Sequence, residues 1–158
     1  MNQKEKAKRF AQLHVKGAPL LLYNAWDAGS AQSVLEAGAK AIATSSWSVA
    51  AAQGYQDGEA IPIEFAEQIV ERIATSVDAP VTVDFEGGYS EDDSELADNI
   101  SRLIDLGVIG VNPTPPLWHP RRDRGRNGGC ANKRTHVSVH RDQNATNYFR
   151  ISGFFVRR

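Results

Sequence analysis

Asp84 and Glu86 stand two apart in the segment Val81-Thr-Val-Asp-Phe-Glu-Gly-Gly-Tyr89. In extended chain, residues i and i+2 share a side, so the two carboxylates would converge, and converging carboxylates repel unless a cation joins them. Hard oxygen ligands that leave room for water favour Mg²⁺ or Mn²⁺. The same residues also fit a plain turn before Gly87-Gly88, with the carboxylates solvated or capping the helix that follows Ser90. Three further stretches concentrate polar groups: Asn24-Ala-Trp-Asp-Ala-Gly-Ser30, Thr44-Ser-Ser-Trp47 and Gly54-Tyr-Gln-Asp-Gly-Glu59. Each has a structural reading as well. Asp27 and Ser30 suit a helix cap, Thr44 to Ser46 could cap a short helix Val49–Ala52, and Asp57 before Gly58 suits a turn.

The elements that must position these groups follow from periodicity. Ala7, Phe10, Ala11 and His14 recur at three- and four-residue spacing and predict an amphipathic helix over 3–15, stopped by Gly17. Pro19 to Asn24 is a continuous apolar run that predicts a strand buried on both faces. A helix through Gln32 to Ala37 ends at Gly38, and Lys40 to Thr44 is the second strand. A helix from Pro62 to Thr75 carries Phe65, Ile69 and Ile73 four apart, and a third strand runs from Ala79 to Asp84. A helix from Ser90 to Leu106, with Asp92 and Asp93 suiting the dipole at its N-terminus, precedes a fourth strand at Val108–Val111. Strand and helix in alternation require a parallel sheet with right-handed crossovers, either open and doubly wound or part of a (β/α)8 barrel. In both, chemistry gathers at the carboxyl ends of the strands, where the polar stretches fall.

The chain has 158 residues, with 18 Lys+Arg against 19 Asp+Glu and 41% apolar residues, enough for one ordinary domain. Its near-zero net charge hides two unlike parts. Residues 1–112 hold 8 basic and 17 acidic residues, a net of −9; residues 113–158 hold 10 and 2, a net of +8. That tail carries nine of the twelve Arg but only 8 Leu, Ile, Val and Phe, too few to hold a core, and it reads as a disordered basic segment. Arg121, Arg122, Arg124 and Arg126 near Trp118 would attract phosphates, so a nonenzymatic fragment whose tail binds nucleic acid or a partner protein is the alternative function. Without a recognition motif, incidental counter-ion attraction explains the cluster better. Cys130 with His119, His136 and His140 makes a poor zinc site, because no paired-Cys spacing exists. Asn144-Ala-Thr146 matches a glycosylation acceptor, but Met1 to Arg9 is charged with no apolar signal stretch after it. The single Cys and the short apolar runs point to a soluble, cytoplasmic protein without a membrane span.

In order along the chain, Tyr23-Asn-Ala-Trp-Asp-Ala-Gly-Ser-Ala31, Ala43-Thr-Ser-Ser46, Gly54-Tyr-Gln-Asp-Gly-Glu59, Val81-Thr-Val-Asp-Phe-Glu-Gly-Gly-Tyr89 and Gly107-Val-Ile-Gly-Val-Asn112 resemble the isocitrate lyase/phosphoenolpyruvate mutase superfamily, especially its phosphonomutase-like members. The resemblance runs from about Lys6 to Asn112. It implies a (β/α)8 barrel, of which this chain holds strands 1–4, that binds Mg²⁺ or Mn²⁺ and a small α-keto acid or phosphonate and makes or breaks a C–C or P–C bond beside the carbonyl. It also implies homo-oligomers. By position it makes Asp84 and Glu86 metal-shell carboxylates and Asp57 the third acid, direct or through water and with a catalytic role. Ser45 and Ser46 become binders of the substrate carboxylate, Asn24 and Trp26 line the mouth, and Asp27 remains a cap.

Family members continue after the strand 4 Asn with an apolar residue and Glu-Asp, the Glu completing the metal shell, whereas this chain has Pro113-Thr-Pro-Pro116. The break coincides with the change in charge and composition, the pattern a shifted reading frame would leave. The expectation is a partial domain over 1–112 followed by an unrelated tail over 113–158, truncated and inactive as it stands.

Overall fold

A computed structural model describes residues 1–112 and the backbone of residues 150, 151, 154 and 155. Helix α1 (Gln3–Gln12) leads into strand β1 (Tyr23–Ala25), then α2 (Ala28–Glu36), β2 (Ile42–Thr44), α3 (Ser46–Ala52), α4 (Ile63–Ser76), β3 (Val81–Asp84), α5 (Asp93–Asp105) and β4 (Gly110–Asn112). The four strands are parallel and adjacent in chain order, β1-β2-β3-β4, with Tyr23 opposite Ile42, Ile42 opposite Val81 and Asp84 opposite Asn112. Two short strands, β5 (Arg150–Ile151) and β6 (Phe154–Phe155), pair antiparallel. The tail between them and β4, with its expected lack of structure and its basic cluster, lies outside the described residues.

Helix ends follow capping chemistry more closely than the apolar pattern does. Asn2 accepts from the Glu5 N–H while the Glu5 carboxylate accepts from the Asn2 N–H, a closed box that starts α1. That helix ends at Gln12, three residues short of the expected Val15. Asp27 caps α2, accepting from the Ser30 N–H at 2.6 Å, so the helix begins at Ala28. Asp92 accepts from the N–H groups of Ser94 and Glu95, which moves the start of α5 from the expected Ser90 to Asp93.

The core forms where α2, α4 and α5 cover the strands: Ile42, Ile73, Val81, Ile100 and Leu103 are fully buried. A second cluster sits at the opposite end of the sheet from the polar stretches, where Ala7 and Phe10 of α1 meet Ala41 and Ile109 just before β2 and β4. Phe10 is 1% exposed. Gln3 Nε2 donates to the carbonyls of Ile104 and Val108, and Lys6 Nζ donates to that of Val77. The Met1 ammonium lies 2.7 Å from the Asp78 carboxylate, holding its pKa below the usual carboxylate range. Helix α1 therefore closes the N-terminal ends of the strands.

β1 departs from expectation. It starts at Tyr23 rather than Pro19, and Leu21 and Tyr23 are exposed instead of buried. Among the described residues it has a strand on one side only, so its side chains lack the second neighbour that a doubly covered strand would have.

Candidate metal and substrate site

Every strand but β1 carries mostly buried side chains up to its carboxyl end, and there the chemistry-bearing residues begin. Thr44, the last residue of β2, is buried, and its hydroxyl accepts from the Asp84 N–H of neighbouring β3 at 3.1 Å. Ser46 follows at the start of α3; its N–H and hydroxyl both donate to Asp84 Oδ2, at 3.2 and 3.0 Å. The chain around β2 thus fixes both the backbone and the rotamer of Asp84. Its other oxygen, Oδ1, is buried and has no hydrogen-bond partner. A desolvated carboxylate oxygen costs free energy unless something compensates it. A cavity of about 20 Å³, room for one water or a bare cation, has Thr44, Ser46, Asp84, Glu86 and Tyr89 on its polar side and apolar side chains such as Ile61, Val83 and Phe85 around the rest.

The loop between α3 and α4 and the loop after β3 are clasped together. The Glu59 N–H donates to Glu86 Oε2, and the Glu59 carboxylate accepts from the Tyr89 N–H at 2.7 Å. Glu59, Glu86 and Tyr89 have φ of 61°, 48° and 61°, and they are the non-glycine residues with positive φ among those described. Such backbone is costly for side-chain-bearing residues and persists only where the surroundings impose it. Partial burial raises the Glu86 pKa above the ordinary glutamate value; hydrogen bonds from the Glu59 and Gly58 N–H groups oppose the rise, and the nearby charges of Asp57 and Glu59 add to it. Burial, then the charges of Glu86 and Glu59, push the Tyr89 phenol upward, so it stays protonated and a donor at neutral pH. Its ring lies against Phe85, centroids 5.1 Å apart.

The positive φ at Glu86 corrects one premise of the sequence reading. β3 ends at Asp84, and beyond it the chain turns out of extended geometry, so the alternation that would set Asp84 and Glu86 on one side does not reach Glu86. Among the described residues no group of three or more His, Cys, Asp or Glu is arranged to hold a metal. Asp57, Asp84 and Glu86 are therefore not assembled as three ligands: Asp57 is exposed in a turn near Glu86, Glu86 is bonded to that turn, and Asp84 is bonded to Ser46.

Ser45 occupies the N-cap of α3 but its hydroxyl makes no capping bond. Asn24 and Trp26 are exposed at the end of β1, the Trp26 N–H donating to Ser30 Oγ. Asp27 is the cap expected of it. The sequence reading missed two residues, Thr44 and Glu59. Both lay inside the polar stretches, but their partners are 40 and 30 positions away and carry no local signal.

The family description of phosphoenolpyruvate phosphomutase matches residues 10–113. The chain belongs to this family. It is 50% identical to a protein of Burkholderia cenocepacia J2315 assigned as a phosphonomutase, with a TM-score of 0.67 over 69% of this chain and 44% of that one. It is 34% identical over 99 residues to the uncharacterised protein Rv1998c of Mycobacterium tuberculosis (strain ATCC 25618 / H37Rv), covering 63% of this chain and 38% of the relative. A phosphonopyruvate hydrolase solved with oxalate and Mg²⁺ shares the fold at 18% identity, with a TM-score of 0.61 over 70% of this chain and 38% of that one. The chain thus spans less than half the length of the relatives it matches, and its parallel α/β sheet corresponds to the N-terminal part of theirs. The expected superfamily and fold class are borne out. No helix among the described residues is long and apolar enough to cross a membrane.

Proposed function

We propose that residues 1–112 are the N-terminal half of a (β/α)8 enzyme that uses Mg²⁺ or Mn²⁺ to make or break a C–C or P–C bond beside the carbonyl of a small α-keto acid or phosphonate. The observation that carries this reading is Asp84 Oδ1, a buried carboxylate oxygen without a partner at the carboxyl end of a parallel strand, beside a cavity of ion size. The residues present fit such a cation, because Asp84 and Glu86 both line that cavity and Mg²⁺ takes only one or two protein carboxylates. Asp84 and Glu86 would hold it, with Asp57 acting through water. When bound, the cation would polarise the keto oxygen and offset the negative charge that develops there.

The chain's own groups have separable tasks. Ser46 locks the Asp84 rotamer and spends both its donors doing so, which leaves the Ser45 hydroxyl for the substrate carboxylate. Asn24 and Trp26 border the mouth, and the protonated Tyr89 phenol is a donor that can stabilise nearby negative charge without giving up its proton. Wild-type protein should bind Mn²⁺ weakly in calorimetric titration, and Asp84→Ala should abolish the heat; binding unchanged in that variant would overturn the assignment. Strands 1–4 supply one side of a barrel cavity. Turnover of phosphonopyruvate, oxaloacetate or methylisocitrate by residues 1–158 with Mg²⁺ is therefore expected to fall below detection. Robust turnover that Asp84→Ala removes would show that the described half suffices.

A further inference from the structure

Glu59 takes no part in the chemistry assigned above, yet it joins the two loops that bear the acids. Its backbone N–H and that of Gly58 hold the Glu86 carboxylate, while its own carboxylate reaches across to the Tyr89 N–H at 2.7 Å. Three residues of this clasp sit in left-handed backbone, and Gly88 between Glu86 and Tyr89 has φ of 87°. Such a loop does not hold this shape on local preference; it needs a tether. The approach is close enough to restrict its neighbours, since a Cβ at Gly87 would lie 2.8 Å from Glu59 Oε1. Glu86 lines the same small cavity as Asp84. The tether therefore sets where the second carboxylate stands relative to the first.

We propose that Glu59 is a positioning residue: its carboxylate ties the loop after β3 to the loop between α3 and α4 and thereby fixes Glu86 for the cation that Asp84 would hold. This rests on the metal reading above. The groups that orient a ligating carboxylate typically govern affinity by about 10- to 100-fold. The acceptor oxygen matters here rather than the charge, because the group it engages is a neutral backbone N–H. Glutamine keeps such an oxygen; alanine does not.

The test uses the full chain, Mn²⁺ as probe followed by its electron paramagnetic resonance signal, and hydrogen exchange at the Tyr89 amide. Glu59→Ala should weaken Mn²⁺ binding at least tenfold and speed Tyr89 amide exchange, while Glu59→Gln stays within about threefold of wild type in both. Gly87→Ala, which crowds the Glu59 carboxylate, should reproduce the alanine result by a second route. Equal losses in Glu59→Gln and Glu59→Ala would overturn the proposal in favour of a purely electrostatic role. Tighter binding in Glu59→Ala would overturn it too, showing that the clasp restrains Glu86 from the cation. Wild-type affinity in Glu59→Ala, with Asp84→Ala silent, would overturn the positioning role and leave the metal site standing. A silent wild type would remove both, and is distinguished by needing no variant at all.

Discussion

The two ends of the four-stranded sheet both have to bring the chain into left-handed backbone, but only one of them asks residues with side chains to do so. At the N-terminal ends, Gly38 and Gly107 turn helix into strand at φ of 102° and 100°, with nothing within 4 Å of where a Cβ would stand. Glycine adopts that backbone without steric cost. At the C-terminal ends Gly58 and Gly88 do the same, but Glu59, Glu86 and Tyr89 join them there at a conformational cost. The first end is closed by the apolar packing of Phe10 on Ala41 and Ile109, and the second keeps a buried carboxylate oxygen without a partner. One end is built for stability. The other accepts strain and desolvation, the pattern expected where side chains are held for a ligand rather than for the fold.

The comparison breaks if substitutions at the two ends act alike. The largest effect is expected at Phe10→Ala, which should lower unfolding free energy by about 3–5 kcal/mol in urea titration, the usual result of emptying a packed aromatic site. Asp84→Ala should behave in the opposite manner, leaving the urea midpoint near that of wild type while weakening Mn²⁺ binding at least a hundredfold, or about 2.7 kcal/mol. Gly107→Ala should cost about 1–2 kcal/mol, because alanine would be forced into left-handed backbone, with Mn²⁺ affinity unchanged in the folded protein.

The smallest effect concerns pH and Glu86. A carboxyl whose pKa is raised by folding contributes stability that is present below its unfolded value and is lost as pH rises through the folded value. At neutral pH the charged Glu86 is therefore a burden, chiefly through burial and then through Asp57 and Glu59. Glu86→Gln should raise the thermal midpoint slightly at pH 7, and the difference should close as pH falls below the ordinary glutamate value of 4.5. A difference that grows in acid would show that the carboxylate is stabilising instead.

The order of strands and helices was legible because each apolar run and each cap is a local signal: Asp27 reads as a cap and is one. The edges of elements were less so. Asp92 outcompetes Ser90 for the start of α5 by taking two free N–H groups, a contest between neighbours that periodicity cannot rank. At the site, Asp84, Glu86 and Ser46 were legible as residue types after strands. Their arrangement was not, because it depends on left-handed backbone at Glu86 and on bonds such as Glu59 to Tyr89 and Ser46 to Asp84, which span 30 and 38 positions. A polar stretch shows that chemistry is present, but the bonds that aim it come from another loop.

The contacts of α1 have a kinetic consequence. Because the sheet grows in chain order, each strand–helix unit can dock on the one synthesised just before it, at small loop-closure cost. Helix α1 is the exception: it precedes in the chain every strand it packs on, yet Gln3 waits for carbonyls 101 and 105 residues later, and Phe10 waits for Ile109. A helix made before the sheet is thus among the last elements to find its seat. Until it does, the underside of the growing sheet stays open to water and to chaperones, which makes α1 the latch of the assembly and the step most exposed to premature association.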